Sequence, residues 1–232
     1  MEKRIVLVGI GHVFDISHQI ENVINIISPD VVALELDKNR LSFLLSPTAK
    51  KGKTPLYYKI LAKVQERLAK KYGVSTGSEM LAAARKARDN NLGILCIDKD
   101  ARCVFDTLWK SIPLKRKLLL LLGGISSIFV SKKRVENELQ SFEEEPISYF
   151  EQIEKHFPEF KNIIIDDRNK FMYNNLLKSL DVYNKIVAFV GEGHVPGLQH
   201  LLENHLEISV DIIHLKDLRE NALMTSSKNN PI

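Results

Sequence analysis

At 232 residues, 44% hydrophobic and 27% charged, the chain has the make-up of an ordinary globular protein long enough to build a real core. Its formal net charge of +4 favours anionic surfaces, yet no Arg/Lys stripe interleaved with aromatics is present, so nucleic acid is not an expected partner. The two cysteines, Cys96 and Cys103, fit neither a CxxC pair nor a zinc ribbon and cannot make a disulfide framework.

Met1-Glu2-Lys3-Arg4 runs directly into a first strand, which leaves no room for a signal peptide and sets a cytoplasmic expectation. That strand, Ile5-Val6-Leu7-Val8, stops in Gly9-Ile10-Gly11-His12-Val13. Ile16, Ile20, Val23, Ile24 and Ile27 then mark one face of a helix that Ser28-Pro29-Asp30 ends. Val31-Val32-Ala33-Leu34-Glu35-Leu36 follows, an apolar run of the kind found in strands buried on both faces of a parallel sheet. Residues 46–54 are a loop at the edge of the expected site, and Leu56, Ile60, Leu61, Val64 and Leu68 line an amphipathic helix. Gly73 to Gly77 breaks it, and Ser78 is the expected N-cap of a helix running through Glu79-Met80-Leu81-Ala82-Ala83-Ala84.

A third strand, Leu92 to Ile97, ends in Asp98-Lys99-Asp100, and residues 102–180 are mostly helical. Within that insertion Leu118 to Val130 is apolar, too short and too broken by Gly and Ser to span a bilayer. Basic residues bracket it, so segment 114–134 is either a buried helix pair or a contact with an anionic membrane surface. Further on, Arg168 is a charged residue in a helix whose expected core positions are Ile164 and Phe171. A fourth strand, Ile186 to Val190, leads to Gly191-Glu192-Gly193-His194-Val195-Pro196-Gly197, a helix carrying Leu198, Leu201 and Leu202, and a last strand, Val210 to Ile213. The expected architecture is α/β. Two β-α-β half-units, related by internal duplication, join in one central sheet around a helical insertion at about 102–180. Residues 1–220 form one domain and 221–232 a polar tail.

The recurrence of Gly-x-Gly-His directs attention to one edge of that sheet. A glycine turn lets backbone approach a ligand closely, which makes Gly11 and Gly193 candidate substrate contacts. The carboxyl ends of parallel strands are where open α/β sheets bind. His12 and His194 occupy matched places there, and imidazole is both a common ligand of divalent metals and a base near neutral pH. Glu35 lies inside an apolar run, where an ionised carboxylate is costly without a cation, a metal or hydrogen bonds. It is a candidate metal ligand or base, with a plain ion pair to Arg40 as the structural alternative. Asp98 ends the third strand at the same edge. Glu79 opens a helix, where the dipole alone favours a carboxylate. A dinucleotide reading meets Phe14 where Gly-x-Gly-x-x-Gly needs its third glycine, and leaves both histidines unexplained. The other histidines, among them His205 and His214, lack such settings and read as surface or packing residues.

Gly-x-Gly-His-Val, then Pro29-Asp30-Val31-Val32-Ala33-Leu34-Glu35-Leu36-Asp37 with Arg40, Gly77-Ser78-Glu79-Met80, Ile97-Asp98-Lys99-Asp100 and Val190-Gly191-Glu192-Gly193-His194-Val195-Pro196-Gly197 resemble, in order and spacing, the TraB/PrgY family. The resemblance runs from about residue 4 to 215. It implies kinship with Tiki-type metalloproteases and erythromycin-esterase-like hydrolases, whose signature is two Gly-x-x-His motifs and paired glutamates. Those positions fall here on His12, His194, Glu35 and Glu79. Relatives commonly carry Asp-Arg-Asp at Asp98-Lys99-Asp100 and Glu-Arg-Asp at Asp167-Arg168-Asn169, and many continue into C-terminal membrane helices.

The function this implies is a metal-dependent hydrolase of peptidase or esterase type, acting on a peptide or small molecule. His12, His194 and Glu35 would hold a divalent Mn, Co or Zn ion. Glu79 would serve as a second acid or base, and Arg40 or Arg168 would stabilise oxyanion charge or bind a substrate carboxylate. The alternative is a regulatory protein that binds a peptide or ligand in the same cleft without cutting it. A homo-oligomer is compatible with either.

Overall fold

The computed structural model describes residues 2–11, 16–46, 77–111, 113 and 161–220. Among these residues five strands, β1 (Lys3–Ile10), β2 (Val31–Leu34), β3 (Gly93–Cys96), β4 (Lys185–Gly191) and β5 (Ile208–Ile213), form one sheet in the order β3-β2-β4-β1-β5. All four pairings are parallel. Among the described residues seven α-helices accompany them: α1 (Ser17–Ile27), α2 (Lys38–Leu45), α3 (Ser78–Asp89), α4 (Ala101–Ser111), α5 (Asp167–Ser179), α6 (Val195–Leu202) and α7 (Leu215–Arg219). A π-helical turn, Asn162–Asp166, leads into α5, and a 3-10 turn, Glu192–His194, joins β4 to α6.

Side chains alternate across a strand, so each apolar run feeds both faces of the sheet. Val6, Val8, Ile10, Val32, Leu34, Val187 and Phe189 pack on one face beneath α1, α3 and α7. Ile5, Leu7, Val31, Ala33, Ile186, Ala188 and Val190 pack on the other beneath α5 and α6. A parallel sheet needs this cover on both sides, which is why its strands read as unbroken hydrophobic runs.

The two ends of the chain meet in the middle of the sheet. β1 pairs with β4 from Arg4↔Lys185 to Ile10↔Gly191, which brings the two Gly-x-Gly turns alongside one another. The β1-α1-β2 and β4-α6-β5 units interleave: β4 lies between β1 and β2, and β1 lies between β4 and β5. Descent of the two units from an internal duplication is not shown by this arrangement.

Several local expectations are corrected. α3 begins at Ser78, but the capping position belongs to Gly77, in the left-handed region at φ 84°, and no side chain caps the helix. Phe171 is 38% exposed, and α5 buries Asn169, Met172 and Leu176 instead of the expected Phe171. α2 was not anticipated. Asp37 starts it by accepting hydrogen bonds from the Asn39 and Arg40 amides, the side-chain capping that aspartate supplies at helix N-termini. The helix at 56–68, most of the loop at 46–54, the basic-flanked segment 114–134 and the polar tail lie outside the described residues. Among the described residues no helix is long and apolar enough to cross a membrane.

Candidate active site

The carboxyl edge gathers the polar groups that the apolar strands leave at their ends. β2 stops at Leu34, and the next amide, that of Glu35, still donates to Phe189 O at 3.1 Å, so the β2–β4 ladder carries Glu35 to the rim. There its Oε2 accepts the Gly191 amide at 2.6 Å, and its Oε1 accepts from Arg168 Nη2. The predicted ion pair with Arg40 is therefore replaced. Arg168 is the partner, and Arg40 lies 3.7 Å from Asp98 with its side chain 43% exposed.

Arg168 sits at the start of α5, just past the π-helical turn, and its Nη1 donates to Ile164 O at 3.2 Å. Its Nε and Nη2 grip Asp98 at 2.9 and 2.8 Å, a planar fork meeting a carboxylate. The guanidinium thus joins Glu35, at the end of β2, to Asp98, just past β3. Arg168 is thus the shared counter-ion of both acids. Arg40 alone of the two arginines keeps an exposed side chain.

His194 closes the 3-10 turn after β4 and is 4% exposed. Its Nδ1 lies 2.7 Å from Asn169 Oδ1, and its Nε2 lies 3.4 Å from Glu35 Oε1. An amide oxygen accepts, so Nδ1 donates to Asn169 and Nε2 is turned toward Glu35. Burial alone would push the Glu35 carboxyl up. His194, Arg168 and the Gly191 amide outweigh that and hold it well below the usual carboxylate range. Glu35 is thus a persistent anion and a weak proton acceptor.

The motif glycines have specific reasons. A methyl group on Gly9 would overlap Glu192 Oε2, and one on Gly197 would overlap Asn169 Nδ2. On Gly11 it would meet Leu215 Cδ2 at 2.6 Å. Each of these glycines therefore vacates space for a named side chain of the edge. A pyrophosphate at the first turn would face the Glu192 carboxylate, which weighs against the dinucleotide reading.

Glu35, Asp98, Arg168 and His194 come together as a single cluster, and Arg40 stands at its rim. Glu79 is completely buried in the first turn of α3. His12 lies outside the described residues. Sequence reasoning missed Asn169, Glu192 and His214. His214 had a legible signal, since it follows a strand directly, as His194 nearly does.

A family model described as TraB/PrgY/gumN matches residues 2–206. The chain belongs to that family. It is also 28% identical over 223 residues to the uncharacterized protein MJ1365 of Methanocaldococcus jannaschii, a match covering 91% of this chain and 56% of the relative. This TraB/PrgY/gumN chain thus spans little more than half the length of that relative, whose printed name assigns it no activity.

Proposed function

We propose that this member of the TraB/PrgY/gumN family is a metal-dependent hydrolase of peptidase or esterase type. The observation that carries the reading is the pairing of His194 Nε2 with Glu35 Oε1 at 3.4 Å inside a buried, ion-paired cluster at the carboxyl edge. Two ligands about 2.1 Å from one tetrahedral ion stand roughly 3.4 Å apart, so the pair fits as half of a ligand set. Among the described residues no group of three His, Cys, Asp or Glu side chains converges for a metal, so a further ligand must come from outside them. His12 is the candidate. Mn, Co and Zn all suit an imidazole and carboxylate set. Such an ion, when bound, lowers the pKa of water and polarises a carbonyl.

The protein's own groups divide the remaining work. Asn169 fixes the His194 ring so that Nε2 points inward. Asp98 would retain Arg168 through its bidentate contact while Glu35 turned one oxygen to the ion. Arg40, exposed at the rim, would receive a substrate carboxylate, and the Gly11 and Gly193 turns would contact substrate backbone. Glu79 is retained as a second acid. One observation favours the alternative reading, a non-catalytic peptide- or ligand-binding protein: Arg168 is already ion-paired with both Glu35 and Asp98.

Metal analysis of the purified protein beside a His12→Ala/His194→Ala double variant, followed by a peptide and ester screen with the bound ion, tests the proposal. A stoichiometric transition metal that the variant loses, together with turnover, is expected. Absence of metal after incubation with Mn, Co and Zn, with peptides bound but left intact, would transfer the site to the binding reading.

A further inference from the structure

Away from the Glu35–His194 cluster, the described residues form a groove of about 370 Å³ at the β3 edge of the sheet. β3 is an edge strand, and none of its four residues is fully buried. Its register with β2, Val32↔Ile94 and Leu34↔Cys96, sets Ile94 and Cys96 on the face that α1, α3 and α7 cover further in. Here that cover stops short. α2 makes one wall of the groove, and Arg88, in the last turn of α3, completes the lining. Residues four apart share a helix face, so two stripes run along the α2 wall. Leu41 and Leu45 form the apolar one, and Lys38, Ser42 and the C-cap Ser46 form the polar one.

The charge of this groove has one sign. Lys38 and Arg88 line it together with no acid, and neither is ion-paired among the described residues. Asp37 is the acid nearby, and its carboxylate accepts the Asn39, Arg40 and Ala101 amides. That capping also occupies the amides at the start of α2, so no helix terminus adds the donors on which a phosphate would draw. Cys96 is a wall and not a reagent, because burial, followed by the Asp37 charge, pushes its thiol up and away from the thiolate form. The volume is that of a small-molecule site, apolar on its floor with a few polar groups at its lip. The chain's own residues 47–76, which continue from Ser46, carry eight Lys or Arg against one Glu. Their charge repels that of the groove, so charge complementarity selects an anion from solution over this segment.

We propose that this groove binds a small amphipathic carboxylate, of the chemical class of a medium-chain fatty acid. Leu41, Leu45 and Ile94 take its apolar body. The Lys38 ammonium and the Arg88 guanidinium take its carboxylate, with the Ser42 and Ser46 hydroxyls as further donors. The bound chain covers Ile94 and Cys96 and so gives the edge of the parallel sheet the apolar cover that its inner strands have. The site shares no residue with the Glu35–His194 cluster, and the proposal stands whether or not the protein is a hydrolase.

Cys96 reports on the groove directly. The test uses the whole protein carrying Cys103→Ser, which leaves Cys96 as the single thiol, and follows its labelling by a maleimide with and without octanoate. Only free protein reacts, so octanoate at about ten times its Kd should slow labelling about tenfold. Acetate, which lacks the apolar body, and octanol, which lacks the charge, should protect far less at the same concentration. A Lys38→Ala/Arg88→Ala variant, shown to be folded by circular dichroism, should need about tenfold more octanoate for equal protection, the loss expected of a charge-assisted contact. Cys96→Ser protein, labelled at Cys103, should be unaffected, and equal slowing there would show that octanoate acts on the labelling and overturn the proposal. It fails as well if octanoate leaves the Cys96 rate unchanged, or if Cys96 is unreactive before any ligand is added because protein already fills the groove. Protection by octanol equal to that by octanoate, or undiminished in the double variant, would overturn the carboxylate assignment.

Discussion

Glu35 shows how one carboxylate can be affordable inside an apolar edge. It is 9% exposed, yet it has the Gly191 amide, Arg168 and His194 around it. Removing one partner of a buried pair leaves the other charge uncompensated, at a cost of about 3–5 kcal/mol, although Asp98 would moderate this by retaining Arg168. Glu35→Gln should therefore lower stability at pH 7 by about 3 kcal/mol. The sign of the pH effect follows from the depressed carboxyl. Its contribution is full above the unfolded value of about 4.3 and is lost as pH falls through the lower folded value. Urea unfolding of wild type and variant should show a gap that is wide at pH 7 and narrows steadily below about pH 4. A gap independent of pH would contradict the charged state assigned to Glu35. From sequence, the cost of this carboxylate was legible but its partner was not. Arg40 is five residues away, whereas Arg168 reaches Glu35 only because α5 folds back over the sheet, a long-range contact that local pattern does not encode.

At the scale of elements, strand runs and glycine turns were readable because their signals are local. Unbroken apolar runs rich in β-branched residues mark β1, β2 and β4, and Gly-x-Gly marks where β1 and β4 end. α2 escaped because its helical face is short and none of its residues is fully buried. Its determinant is a single residue. Asp37 Oδ1 accepts the Asn39 and Arg40 amides at 2.8 and 2.9 Å, and Oδ2 accepts the Ala101 amide at 3.2 Å, so one side chain serves the start of α2 and the first residue of α4. Loss of a capping aspartate costs about 1–2 kcal/mol. Asp37→Ala should sit toward the upper part of that range, because a second helix loses a partner as well. Amide exchange checks this. Faster exchange at Asn39, Arg40 and Ala101 together is expected, and an effect limited to α2 would mean that the bond to Ala101 contributes nothing. Asn169 and Glu192 belong to this scale too, since each became a site residue only when a distant element, α6 or α7, approached it.

The whole molecule is held by interdigitation of its two ends. β1 has β4 on one side and β5 on the other, both from the C-terminal part, while β4 lies between β1 and β2 from the N-terminal part. Neither part alone can pair its central strand on both sides or cover both faces of it. The apolar core on each face likewise draws residues from both parts: Ile5 and Leu7 with Ile186 and Val190 on one, Val6 and Val8 with Val187 and Phe189 on the other. A chain cut between Pro113 and Lys161 should thus give two fragments that are unfolded separately and regain secondary structure when mixed or co-expressed. Circular dichroism of each fragment and of the mixture reads the outcome directly. Independent cooperative unfolding of the N-terminal fragment would show that β1, β2 and β3 suffice for a core. Failure of the mixture to refold would mean that an unbroken connection is needed to close the sheet. The same interdigitation sets Gly9 beside Glu192 and Glu35 beside Gly191, so assembly of the sheet and assembly of the candidate site are one event. A reconstituted mixture should therefore recover the His194–Glu35 pair along with its strands, and, on the proposed hydrolase reading, metal uptake by the mixture that neither fragment shows is the expected sign that it has.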